Sequence, residues 1–244
     1  MLDNIVILGS QLAGTRHTAP VQLAEALAAR HSVLYVEPFG YTTQSDTPND
    51  YRACHTSLRQ SSAGVKVLAP LAQLLPSPTF YRWLMLGMVE RINATRIVEE
   101  LEWALRTLHI EEYALLIDTP SLRNSIVVEM LSPRTLYLMR WQAWEWERSA
   151  EAGQAYDTDE QEIAVRLIER CDAVLATSLG LAALPHRHNP YTFNISGGLA
   201  DITTTPSAEM WHKAARRVDA VADLLERTEH PTGRNIRRKR RVLS

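Results

Sequence analysis

The chain has 244 residues, of which 45% are hydrophobic and 22% charged, with a formal net charge of -2. That is enough chain for one substantial buried core, and the balance excludes collagen-like, coiled-coil and wholly disordered architectures. No apolar run approaches the length of a transmembrane helix, and the N-terminus lacks the pattern of a signal peptide. The two cysteines, Cys54 and Cys171, make neither a disulfide framework nor a metal spacing, so a cytoplasmic location is expected.

In chain order, Asn4 to Leu8 (NIVIL) is a short apolar run of the kind buried in a parallel sheet. A loop of small and polar residues follows. Pro20 suits the first turn of a helix, and Val21, Leu23, Ala24 and Leu27 continue at helical spacing. Ser32 to Val36 (SVLYV) is a second strand ended by Glu37-Pro38, so the opening is a parallel strand–helix–strand unit.

Residues 39–63 read as a long polar loop, and Val65 to Leu68 as a strand. Pro76 and Pro78 precede two helical stretches. The first, Phe80 to Ile92, carries Trp83, Leu86, Met88 and Val89 on a broad apolar face; the second, Ala94 to Leu108, carries Ile97, Leu101 and Leu105 on one side. Tyr113 to Ile117 is a central strand ending in Asp118-Thr119-Pro120. A helix over Leu122–Leu131, a strand over Thr135–Met139, a helix over Glu160–Arg170 and a strand over Ala173–Ala176 come next. Tyr191 to Ile195 is a last strand before Gly197-Gly198, and a final helix spans Ser207–Glu226. This alternation predicts a single doubly wound, Rossmann-like parallel sheet with helices on both faces, over residues 1–202. A C-terminal helix (203–229) and a basic, disordered tail (230–244) complete the expected division.

The tail, Pro231 to Ser244, holds Arg234, Arg237, Arg238, Lys239, Arg240 and Arg241 and no acid. The body before it is correspondingly acidic, which excludes a general nucleic-acid-binding fold. The tail is suited to an anionic membrane surface, nucleic acid or an acidic partner, or simply to keeping the chain in solution.

In such a sheet, ligands bind beyond the carboxyl ends of the strands. The loop from Gly9 to Arg16 has the G-x-x-x-x-G spacing of a phosphate loop. However, Thr15 stands where the phosphate-binding Lys belongs, and Arg16 stands where the Mg²⁺-binding hydroxyl belongs. Gly14 marks either an anion-binding helix N-terminus or a tight turn, and Arg16 and His17 add charge and proton-transfer capacity beside it. Asp118 is either a ligand-site carboxylate or the cap of the following helix. Arg140 is placed to meet a phosphate or to make a surface salt bridge. Trp141, Trp144 and Trp146 crowd one polar segment and suit a sugar or lipid site, a protein interface, or core packing. His186-Arg187-His188 lacks a third metal ligand, and no nucleophile elbow is present.

The order and spacing of these segments resemble the N-terminal domain of GT-B glycosyltransferases, of the bacterial type acting in polysaccharide and cell-surface glycan synthesis. The resemblance runs from the opening strand and glycine loop through RHTAPVQLAEALAARHSVLYVEP (Arg16 to Pro38), VKVLAPLAQLLP (Val65 to Pro76), ALLIDTP (Ala114 to Pro120) and EIAVRLIERCDAVLATSLGLA (Glu162 to Ala182) to NISGGLADI (Asn194 to Ile202). The chain departs from that pattern at LYLMRWQAWEWER (Leu136 to Arg148), where the family commonly has a Tyr-Asp and paired acids, and at Gln11, where an aromatic is frequent. The resemblance implies an acceptor-side domain with His17 as the candidate general base. Gly14, Thr15, Arg16, Asp118, Arg140, Trp141, Ser178, Gly197 and Gly198 are then candidate substrate contacts, without metal or other cofactor. MWHKAARRVDAVADLLE (Met210 to Glu226) resembles the helix that crosses back onto the first domain of such enzymes. The stretch after Ile202 is too short for a second Rossmann-like domain, so the nucleotide-sugar half is expected on a partner chain. The protein is then expected to be cytoplasmic and peripheral at the inner face of the membrane. A non-catalytic interaction protein using the tryptophan segment is the alternative. A degenerate nucleotide hydrolase of the ParA/MinD type, echoed by LLIDTP, is a lesser one.

Overall fold

The computed structural model describes residues 3–13, 18–39, 57–61, 63–70, 74–75, 82–144, 147–148, 158–195 and 207–228. Eight strands form one sheet: β1 (Asn4–Leu8), β2 (Ser32–Val36), β3 (Ser57–Gln60), β4 (Lys66–Ala69), β5 (Ala114–Ile117), β6 (Thr135–Arg140), β7 (Ala173–Ala176) and β8 (Thr192–Asn194). Their order is β3-β4-β2-β1-β5-β6-β7-β8. Every pairing is parallel except β3 with β4. The helices are α1 (Ala19–Ala28), α2 (Arg82–Thr107), α3 (Leu122–Met130), α4 (Thr158–Arg170), α5 (Leu179–His188) and α6 (Ala208–Arg227).

Because side chains alternate along a strand, an apolar run such as NIVIL serves two cores at once. Val6 and Leu8 of β1, with Leu34 and Val36 of β2, join the core under α2, α3 and α4. Ile5 and Ile7, with Val33 and Tyr35, join the core under α1 and α6. Helix α6 earns its place by period: Trp211, Ala214, Ala215, Val218, Val221, Ala222 and Leu225 make one buried stripe. It packs on α1, and Asp219 ties it to Arg30 at 2.5 Å and His31 at 2.6 Å.

The fold agrees with the doubly wound expectation and departs from it in detail. The two helical stretches expected around residues 80–108 are one continuous helix, α2. Asn93, a weak helix former, sits fully buried inside it and brackets a passing strand of backbone: Leu75 N–H donates to Asn93 Oδ1 (2.8 Å) and Asn93 Nδ2 donates to Leu75 O (3.0 Å). The broad apolar face expected at its start is interrupted, since Met88 and Ile92 face solvent at 55% and 39% exposure. Within the expected loop of residues 39–63 stands β3, an edge strand whose SLRQ sequence offers one apolar residue, Leu58, too few to read as a strand. Helix α5 was not expected either. Among the described residues no helix is long and apolar enough to cross a membrane.

The chain runs outward from β1 through β2 to β4, then returns to β5 on the other side of β1. The reversal places a crevice at the carboxyl ends of β1 and β5, where a doubly wound sheet takes its ligand.

Candidate functional site

Three side chains from neighbouring strands hold the loop that leaves β1. Asp118, at the end of β5, accepts from Ser10 N–H (2.8 Å) and Ser10 Oγ (2.7 Å), closing the crevice across the switch point. Glu37, at the end of β2, accepts from Ala13 N–H at 3.0 Å. Tyr35 Oη donates to Gln11 O at 2.8 Å. The loop passes so close to Tyr35 that a Cβ on Gly9 would lie 2.1 Å from the phenol oxygen. Glycine is therefore required there by contact with a buried ring rather than by an unusual φ.

Asp118 is 3% exposed. Burial raises its carboxyl above the ordinary carboxylate range, against the hydrogen bonds from Ser10 and Thr119 that lower it. It does not cap α3. That role belongs to Ser121, whose Oγ accepts from Asn124 N–H at 3.1 Å. Ser121 has the extended backbone of an N-cap and its side chain makes the capping bond.

Around these groups lies a pocket of about 250 Å³. Leu8, Val36, Phe39 and Ile97 form its apolar wall, while Glu37, Asp118, Thr119 and Asn124 supply polar groups. Arg123 also borders it, held by Glu90 through Nε (2.7 Å) and Nη2 (3.1 Å). Arg59 of β3, which sequence reasoning missed, donates to Glu37 Oε1 at 2.5 Å. A polar hollow of similar size opens at the opposite, amino ends of the strands, between Asn4, His109, Tyr113 and Arg134. There Arg134 is engaged by Glu112 and Glu226. The amino ends of parallel strands are not where such sheets take ligands.

Arg140 makes neither of the two contacts expected of it. It is 3% exposed, and its Nη2 pairs with both oxygens of Glu147, so it is a core ion pair rather than a surface bridge or a phosphate contact. Its Cζ lies 4.4 Å from the centre of the Trp144 ring. Its Nη1 donates to Leu181 O at 2.8 Å. That carbonyl is available because Pro185, four residues on within α5, has no N–H to claim it. Trp144 is thus a core residue, and Trp141 is half-buried against the α1–α6 core; the aromatic segment as described is largely turned inward.

Ser178 caps α5, accepting from Leu181 N–H at 3.1 Å. Gly14, Thr15, Arg16, His17, Trp146, Gly197, Gly198 and the basic tail lie outside the described residues. Among the described residues no group of three or more His, Cys, Asp or Glu is arranged to hold a metal ion.

No protein-family model matches the sequence, and no curated protein is similar to it in sequence. Solved structures do share its shape. A unit of sucrose-phosphate synthase from Thermosynechococcus elongatus, comprising residues 27–220 and 406–426 of that enzyme, matches with a TM-score of 0.50 at 14% identity, over 91% of this chain and 98% of the unit. The whole enzyme matches with a TM-score of 0.53 at 14% identity, over 79% of this chain and 47% of its own. This chain therefore spans about half the length of that enzyme. The chain has the Rossmann-type α/β fold of that glycosyltransferase unit.

Proposed function

We propose that this chain supplies the acceptor side of a glycosyl-transfer site in surface-glycan synthesis, and that a partner chain brings the half that binds the nucleotide sugar. The observation that carries this reading is the pocket at the β1/β5 switch point, on a fold shared with a unit of an enzyme named for making sucrose phosphate. The loop held by Asp118, Glu37 and Tyr35 leads in sequence to His17, the position we assign as general base toward the acceptor hydroxyl. On this reading the partner provides the electrostatic stabilisation of the leaving phosphate. The cationic tail, Pro231 to Ser244, would hold the assembly against an anionic membrane surface.

Calorimetric titration of the chain with nucleotide sugars, alone and with chains that co-purify with it, tests this reading. The expected result is no tight donor binding by the isolated protein and donor binding by the assembly. Transfer by the assembly should fall about 10²- to 10⁴-fold in His17→Ala, the usual range for loss of a general base. Tight donor binding by the chain alone would overturn the division of labour.

A further inference from the structure

The switch-point pocket is unusual in how its charges are spent. Glu37 is 6% exposed, and its Oε1 takes two donors, Ala13 N–H and Arg59 Nη2. Its second oxygen, Oε2, receives no hydrogen bond from the described residues, and Glu37 lines the pocket. A buried carboxylate with one oxygen filled and the other open is an acceptor waiting for a donor. At Asp118, Ser10 fills Oδ2 and the Thr119 hydroxyl donates to Oδ1 at 3.1 Å.

Among the described residues, the two cations beside the pocket are each paired with a carboxylate. Arg59 lies on Glu37 and Arg123 is gripped at two atoms by Glu90. Helix α3 begins at the pocket, yet its Asn124 N–H is given to Ser121 Oγ. A phosphate needs charged donors, and here it would meet an open carboxylate oxygen in a half-apolar enclosure, where like charges repel strongly. Hydroxyl groups meet no such penalty, and Phe39 and Ile97 offer an apolar wall to the C–H face of a ring. The volume, about 250 Å³, equals roughly eight waters at about 30 Å³ each, the room of a single sugar ring.

We infer that this pocket takes a neutral, polyhydroxylated moiety of about one sugar ring, anchored by hydroxyls on Glu37 Oε2, and discriminates against the phosphorylated counterpart. The inference rests on the acceptor-side reading and narrows it to an acceptor presented without phosphate on the bound ring. The specificity is built by an unfavourable element, the open carboxylate oxygen, as much as by attraction.

The test is amide-shift titration of the isotopically labelled full chain with methyl hexopyranosides and with the matching hexose 6-phosphates. The amides of Ser10, Thr119 and Asn124 serve as reporters of the pocket. Saturable shifts are expected from at least one neutral glycoside, with affinity about tenfold or more above its phosphorylated partner. Glu37→Gln keeps an oxygen for Ala13 N–H, removes the charge and releases Arg59, and should erase or invert that preference. Phe39→Ala, outside the charge network, should weaken the neutral and phosphorylated ligands alike. Phosphorylated sugars binding the native pocket as well as neutral ones, or an unchanged preference in Glu37→Gln, would overturn the inference while leaving the acceptor-side reading in place. Pocket amides that respond to no sugar of either kind would overturn both.

Discussion

At the carboxyl ends of β1, β2 and β5, buried charges hold a loop by its backbone and leave a pocket open beside them. On the adjoining strand, at the end of β6, an equally buried charge is walled in. Asp118 and Arg140 occupy the same kind of position, a charged residue ending an apolar strand, and both are 3% exposed. Asp118 is satisfied by Ser10 and Thr119, groups that border a cavity. Arg140 is held by Glu147, the Trp144 ring and the Leu181 carbonyl within the fold, while its buried Nε has no hydrogen-bond partner among the described residues. Burial alone does not make a strand-end charge functional; what matters is whether its partners leave space for a ligand.

The largest expected effect comes from breaking the closed region. Arg140→Met removes the partner of Glu147, whose side chain is 15% exposed, and leaves a carboxylate largely buried without its cation. The expected cost is about 3 kcal/mol or more in urea unfolding. Arg140→Met combined with Glu147→Met should recover most of it, because replacing both members of a buried pair by apolar groups of similar volume is close to neutral. If the double variant is no more stable than the single, the pair is not what holds this region together.

A smaller effect separates Asp118 by pH. Burial raises its proton affinity in the fold above that of the ordinary value of 3.8, so the neutral acid favours the folded state. The contribution is full below the ordinary carboxylate range and fades as pH rises through the folded value. Asp118→Asn lacks this titration. The unfolding free energy of the native protein minus that of the variant should therefore fall with rising pH, by about 1.4 kcal/mol for each tenfold difference in proton affinity between the two states. A difference that grows with pH would show that the Ser10 bonds outweigh burial.

Much of the fold was legible because parallel strands buried on both faces read as continuous apolar runs. The bounds of β1, β2 and β7 coincide with the runs NIVIL, SVLYV and AVLA. What escaped did so for local reasons. β3 is a polar edge strand, Asn93 looks like a break until its bracket on Leu75 is seen, and α5 carries Pro185, which reads as a terminator. The candidate site was legible as positions but not as roles. The sequence marks Asp118 and Arg140 alike, since the partners that distinguish them lie 108 and 41 residues away, in Ser10 and Leu181. Arg59 was hidden with its strand.

The smallest effect is the sharpest test of the comparison, because it uses the same residue type in the same role at both places. Ser121 caps α3 and Ser178 caps α5, each accepting a backbone N–H at 3.1 Å. Ser121 borders the pocket, whereas Ser178 is not among its lining residues. Alanine at either position removes one cap and should cost about 1 kcal/mol of unfolding free energy. Ser121→Ala also returns the Asn124 N–H to the pocket as an unclaimed donor at a helix N-terminus, which favours an anion. The two variants should thus be equal in stability and unequal in ligand choice: Ser121→Ala gains affinity for hexose 6-phosphates, by a few-fold, and Ser178→Ala does not. Equal behaviour of both variants in the amide-shift titration would mean that the cap of α3 has no part in excluding phosphate, and that the open oxygen of Glu37 carries the discrimination by itself.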